Sequence, residues 1–135
     1  MTEHILFYMA GVFDGEGTIT LTKKTERPNS LTLKIAVYNT DRKILDPFIE
    51  QFGGTIYEKP DKRRSKMCMM WQCPQANVFV FCQTMVSRCL ATEKVRKMKV
   101  TLNFWHKTRG TSHIHLEDEI KEKRQEFYSA FYSEG

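Results

Sequence analysis

The stretch "YMAGVFDGEGTITL", Tyr8–Leu21, restricts the fold more than any other part of the chain. From Ile5 to Phe13 the residues are apolar or glycine; they meet Asp14-Gly15-Glu16-Gly17, and beyond that polar and apolar residues alternate. A helix that is apolar on more than one face expects burial on several sides. Alternation with period two describes a strand with one buried face. The chain therefore passes from a buried helix into a half-buried strand within a few residues. The helix is expected from Thr2, a capping residue type, to about Asp14. Gly11 and Gly15 lie one turn apart on it, which lets another backbone approach closely.

The alternation continues. Ile19 and Leu21 fall on one face of the first strand, and Thr18, Thr20, Thr22 and Lys24 on the other. "ERPNS", Glu26–Ser30, reads as a turn. Leu31, Leu33, Ile35 and Val37 then oppose Thr32, Lys34, Ala36 and Tyr38. Thr40 is placed to cap a helix from Asp41 to Phe52, which Gly53-Gly54 ends. Thr55–Lys59 and Met67–Cys73 read as a second hairpin joined by Pro60–Ser65. Gln75–Val86, Glu93–His106 (capped by Thr92) and Leu116–Phe131 read as helices. The order α-ββ-α-ββ-α-α-α predicts an α+β fold: an antiparallel sheet with helices on one face and a polar, open second face. Neither a linker nor an internal repeat divides the chain, so residues 1–135 are expected to form a single domain, with 116–131 an appended amphipathic helix.

A chain of 135 residues buries a core without disulfides. The net charge of +5 favours a polyanionic partner. Cys68, Cys73, Cys82 and Cys89 contain no CxxC pair, which points to buried free thiols in a reducing compartment rather than to zinc. His113 and His115 have no acid or Cys at a familiar ligand offset and read as loop residues. No apolar run approaches the roughly 20 residues of a membrane span. The expectation is a soluble, intracellular protein in a cytoplasm or an organelle, with no membrane partner.

Asp14 and Glu16 fall where the helix dipole disfavours negative charge. A nearby cation would offset that cost, and hard divalent cations take carboxylate and carbonyl oxygens. Solvated acids at a simple helix stop are the other reading of the same residues. A nucleotide-binding glycine loop is excluded, because that motif runs strand, glycines, helix, and here the order is helix, glycines, strand.

"YMAGVFDGEGTI" closely resembles the LAGLIDADG motif of the homing endonucleases. Met9-Ala10-Gly11-Val12-Phe13-Asp14-Gly15-Glu16-Gly17 matches it position for position, with Met9 replacing Leu and Glu16 at the second acid. "IAVYNTDRKILDPFIEQFGGTIY" is similar to that family's second strand, NTD turn, helix and following strand. "CLATEKVRKMKVTLNF" resembles, more weakly, its late PYLxxKxxQ segment.

The resemblance implies a saddle-shaped sheet astride the major groove of double-stranded DNA. It also implies a motif helix that packs on its counterpart from a second unit. With one motif per chain, the unit that cuts is a homodimer. Glu16 becomes the metal ligand together with the Gly15 carbonyl, and Ala10, Gly11 and Asp14 become seam residues. Lys94 aligns with a late active-site lysine. The polar position near the end of the second strand falls on Val37 without a gap, leaving Asn39 as the nearest substitute. The expected cofactor is Mg²⁺, about two or three ions per dimer, with Mn²⁺ able to substitute.

Thr18, Thr20, Thr22, Lys24, Thr32, Lys34 and Tyr38 become candidate DNA contacts. "KPDKRRSK" adds Lys62, Arg63 and Arg64, in a segment with five basic residues and one acid. The implied function is sequence-specific cleavage of a long, near-palindromic DNA site in support of intron mobility. A splicing maturase acting on RNA, or a DNA-binding regulator on the same scaffold, is the alternative.

Overall fold

A computed structural model describes residues 2–24, 27–59, 67–108 and 118–133, with side chains for all of these except 24, 27–30, 59 and 118. The element order matches the one expected, with two added single-turn 3₁₀ helices.

Helix α1, Glu3–Glu16, buries Leu6, Met9, Ala10 and Phe13. That i, i+3, i+4, i+7 stripe is the inner face of an amphipathic helix. Thr2 occupies the N-cap position, but its side chain makes no capping bond. The helix also runs two residues beyond the expected stop. Asp14, Gly15 and Glu16 are helical, and the chain turns out at Gly17, whose N–H donates to the Phe13 carbonyl. Glycine is required there by contact: a Cβ on residue 17 would lie 2.2 Å from the Phe13 ring.

Strands β1, Gly17–Lys24, and β2, Arg27–Asn39, pair antiparallel. The expected turn is shorter than it looked, because residues 27–30 belong to β2. Helix α2, Arg42–Phe52, is capped by Asp41, whose carboxylate accepts the Lys43 N–H at 3.0 Å; Thr40 is not the cap. Gly53 and Gly54, at φ of 73° and 97°, end it as expected in a conformation other residues resist.

Strands β3, Thr55–Lys59, and β4, Cys68–Gln72, complete a four-stranded antiparallel sheet in the order β1-β2-β4-β3. A 3₁₀ turn at Gln75–Asn77 leads into α3, Val78–Met85. Helix α4, Thr92–Phe104, takes Thr92 as its first residue, with Ala91 at the cap position. After a second 3₁₀ turn, His106–Thr108, helix α5 spans Asp118–Tyr132. Leu116, His113 and His115 lie outside the described residues.

Ile19, Leu21, Leu33, Ile35, Val37 and Trp71 line the buried sheet face under the helices. Phe81 of α3 centres an aromatic cluster, 5.0 Å from Phe13, 4.9 Å from Phe52 and 5.9 Å from Trp71 between ring centroids. The Trp71 indole N–H donates to the Gly53 carbonyl at 2.8 Å, so the large ring is buried with its polar atom satisfied. Cys73, Cys82 and Cys89 are buried free thiols, and burial pushes each up to about 12. Among the described residues no helix is long and apolar enough to cross a membrane.

Candidate active site

The two acids of the motif have different fates. The Asp14 carboxylate turns inward and accepts the backbone N–H groups of Leu90 at 2.9 Å and Ala91 at 3.0 Å. These donors belong to the two residues just before α4, Ala91 at its cap position and Leu90 ahead of it. Side-chain bonds from 76 and 77 residues away therefore fix the entry to α4, whose cap residue, Ala91, has no side chain to cap with. Glu16 is exposed, and among the described residues its carboxylate has no hydrogen-bond or ion-pair partner.

Lys94, on the first turns of α4, reaches back across the same joint. Its ammonium donates to the carbonyls of Phe13 at 2.9 Å and Asp14 at 2.6 Å, and lies 5.6 Å from the centre of the Phe13 ring. This is a cation on the negative pole of α1. It corrects one step of the sequence argument. Negative charge at this helix end does not by itself demand a metal, because an intrachain ammonium offsets the dipole.

Asn39 lies at the same end of the sheet as Glu16, since Gly17 pairs with Val37 and Asn39 with Met69. Its side-chain oxygen accepts the Asp41 N–H at 2.9 Å, so it shapes the turn into α2. Val37 is fully buried.

Of the proposed seam residues, Gly11 is exposed with open space around it, and Gly15 is alike. Ala10 is not available to a second chain: it is completely buried, its carbonyl facing the Cys89 thiol at 3.7 Å. Asp14 holds α4 in its own chain. Phe7 and Tyr8, 55% and 47% exposed, share the outer surface of α1 with Gly11 and were not singled out from sequence.

On the open face of the sheet, Thr18, Thr20 and Thr22 pair with Ala36, Lys34 and Thr32. The register slips between Lys23 and Lys24, so the regular alternation that placed Lys24 with the threonines ends before it. The remaining strands extend this face. Thr18, Ala36, Gln72 and Thr55 form one row across all four strands, and Tyr38, Met70 and Tyr57 form the next. Gln72 thus joins the polar face. Glu58 does not, because it pairs with Met69 on the face of Ile56 and Trp71. Lys62, Arg63, Arg64 and Lys66 lie outside the described residues.

No protein-family model matches the sequence, and no curated protein matches it significantly. Solved structures do match the fold. The LAGLIDADG homing endonuclease I-GzeII, in complex with its DNA target, superposes with a TM-score of 0.66 at 16% identity, over 96% of this chain. The archaeal intron-encoded homing endonuclease I-Vdi141I, complexed with DNA, gives 0.59 at 14% identity over 96% of this chain and 95% of its own. The group I intron-encoded homing endonuclease I-CeuI, complexed with DNA, gives 0.62 at 16% over 98% and 68%. The chain has the LAGLIDADG homing endonuclease fold. It spans only 44% of I-GzeII but nearly all of I-Vdi141I.

On this LAGLIDADG scaffold the donor set suits a hard cation only in part. Among the described residues no group of three or more His, Cys, Asp or Glu within one chain could hold a metal ion. The Phe13 carbonyl accepts both Gly17 N–H and Lys94, and the Asp14 carbonyl accepts Lys94. What one chain offers is the Glu16 carboxylate beside the Gly15 carbonyl. That set fits Mg²⁺, which keeps several waters and takes one or two carboxylates plus substrate phosphates.

The Asp14–α4 contacts carried no local signal, since they join residues more than seventy positions apart. The second half of the open face was readable in principle. Trp71 as a buried anchor fixes the parity of β4, and Met70 and Gln72 follow from it.

Proposed function

We propose that the chain is a single-motif homing endonuclease that acts as a homodimer and hydrolyses both strands of a long, near-palindromic DNA site with Mg²⁺. One observation carries this reading: a single exposed carboxylate, Glu16, with no partner among the described residues, stands at the end of the motif helix. Cutting two strands takes two such groups, and one chain supplies one. The exposed outer surface of α1, with Phe7, Tyr8 and Gly11, is the natural seam for the second copy. The DNA bound in the I-GzeII, I-Vdi141I and I-CeuI structures supports DNA as partner here.

Glu16, with the Gly15 carbonyl, would hold the metal. When bound, Mg²⁺ neutralises phosphate charge, stabilises the leaving oxygen and makes water a better nucleophile. The chain's own groups bind and orient. Thr18, Thr20, Thr22, Thr32, Lys34 and Tyr38 face the major groove, joined by Gln72, Thr55 and Tyr57. Hydroxyls and amides read base edges, and lysines meet phosphates. Asn39 holds the turn beside the site.

The deciding experiment is a cleavage selection from a randomised DNA library with Mg²⁺, run in parallel on wild type and Glu16→Gln, with gel filtration of both. A dimer that cuts a defined site, against a folded variant that does not, is the expected result. A monomer, or a cleaving Glu16→Gln variant, overturns the shared-site reading. A chain that binds nucleic acid and cuts nothing belongs instead with the maturase or regulator alternative.

A further inference from the structure

Glu16 stands between two glycines, the residues with the most backbone freedom to lose. A reacting carboxylate needs to be held near its productive geometry, and that restraint comes from the groups around it. Here it comes from α4. Asp14 holds the N–H groups of Leu90 and Ala91 at the entry to α4, and Lys94 of α4 holds the last turn of α1. The two contacts run in opposite directions across one joint, so neither helix end moves without the other. Phe13 locks the same turn from beneath, edge-on to Phe81 and against the backbone of Gly17.

We propose that Asp14 and Lys94 are positioning residues that set Glu16 through this reciprocal clamp, and that Lys94 acts on cleavage through α1 without touching the scissile phosphate. The inference rests on the endonuclease reading.

The test uses Lys94→Met, Lys94→Arg, Asp14→Asn and the double variant Lys94→Met/Asp14→Asn. Displacement of a reacting group by about 1 Å costs about 10²-fold, so Lys94→Met is expected to lower kcat by about that factor, with KM for DNA nearly unchanged. Lys94→Arg, which still donates to two carbonyls, restores most of the loss. Because both residues serve one joint, the double variant is no slower than the slower single variant.

Amide hydrogen exchange without DNA or metal gives the independent readout. At Leu90 and Ala91 it should quicken in Lys94→Met, a residue that does not bond those amides. Unchanged exchange there with slowed cleavage places Lys94 at the phosphate and overturns the clamp; multiplying losses in the double variant do the same. If the wild type cuts no DNA, the endonuclease reading fails. The exchange result then still decides whether the helix ends are coupled.

Discussion

The end of α1 and the outer edge of β1 both have backbone groups that neighbouring elements satisfy, and they are finished differently. At the β1 edge the Tyr132 hydroxyl accepts the Leu21 N–H at 3.1 Å and donates to the Leu21 carbonyl at 2.6 Å. Lys23 lies 4.1 Å over the Tyr128 ring and donates to Gln125. Both backbone groups of Leu21 are matched, and α5 covers this part of the edge, one of the ways proteins keep edges from pairing with other chains. At the end of α1 the matching is nearly complete too: Asp14 and Lys94 both have partners. One carboxylate, that of Glu16, has no partner among the described residues. The contrast teaches that acids at a helix end are not the signal. The unmatched one among matched neighbours is.

Breaking the two regions should therefore give losses of different kinds. Glu16→Gln has the largest expected effect, at least about 10³-fold in cleavage rate, or about 4 kcal/mol of barrier, with the melting temperature unmoved. A melting temperature that falls with activity would mean that Glu16 has a structural partner after all. Tyr132→Phe should do the reverse. It removes the hydroxyl that bonds both backbone groups of Leu21 and costs stability of about 1 kcal/mol, read from urea denaturation, with cleavage rate per folded molecule preserved. A rate loss there would show that α5 shapes the DNA face and does not merely seal it.

The same contrast explains what was legible in the sequence. The β1–β2 hairpin was readable because Ile19, Leu21, Leu33 and Ile35 alternate strictly with polar residues, and period two fixes the face of each side chain. The element order followed from such periodicities and from Gly53-Gly54. The stop of α1 was misplaced because Asp14-Gly15-Glu16 looks like a break, whereas Lys94, far along the chain, holds the last turn helical. The seal was unreadable for the same reason: Tyr132 and Leu21 are 111 residues apart. Ala10 was assigned to the seam by its motif position, but its burial depends on where α3 and α4 pack. Local pattern specifies faces, while partners in three dimensions specify which polar groups are left over.

Lys34 on the open face sharpens the comparison more gently. If it meets a phosphate, Lys34→Gln should weaken all DNA sequences alike and reduce the log–log salt slope of binding by about one. Loss of preference at one base position would instead make it a base reader.

The smallest expected effect lies at the other end of α1. Glu3 accepts from Arg88 at 2.6 Å, and this hydrogen bond holds its carboxyl below the usual glutamate range. Arg88 precedes Cys89, Leu90 and Ala91, so one connection runs along α1 from Glu3, past Ala10, to Asp14. A carboxyl with a lowered native value stabilises the fold above its unfolded value. It loses that contribution as pH falls through the native one. Glu3 is exposed and its pair is screened by salt, so the contribution is small. Glu3→Gln is the cleaner variant, because Arg88 also donates to the Thr84 carbonyl and lies over Phe7. Melting temperatures of wild type and Glu3→Gln should differ slightly at about pH 7 and converge toward about pH 3. The gap should also shrink in high salt. A gap that persists at low pH would assign the tie to packing of the Glu3 stem and not to its charge. The two ends of α1 would then be held by different physics: charge and hydrogen bonding at Asp14, contact alone at Glu3.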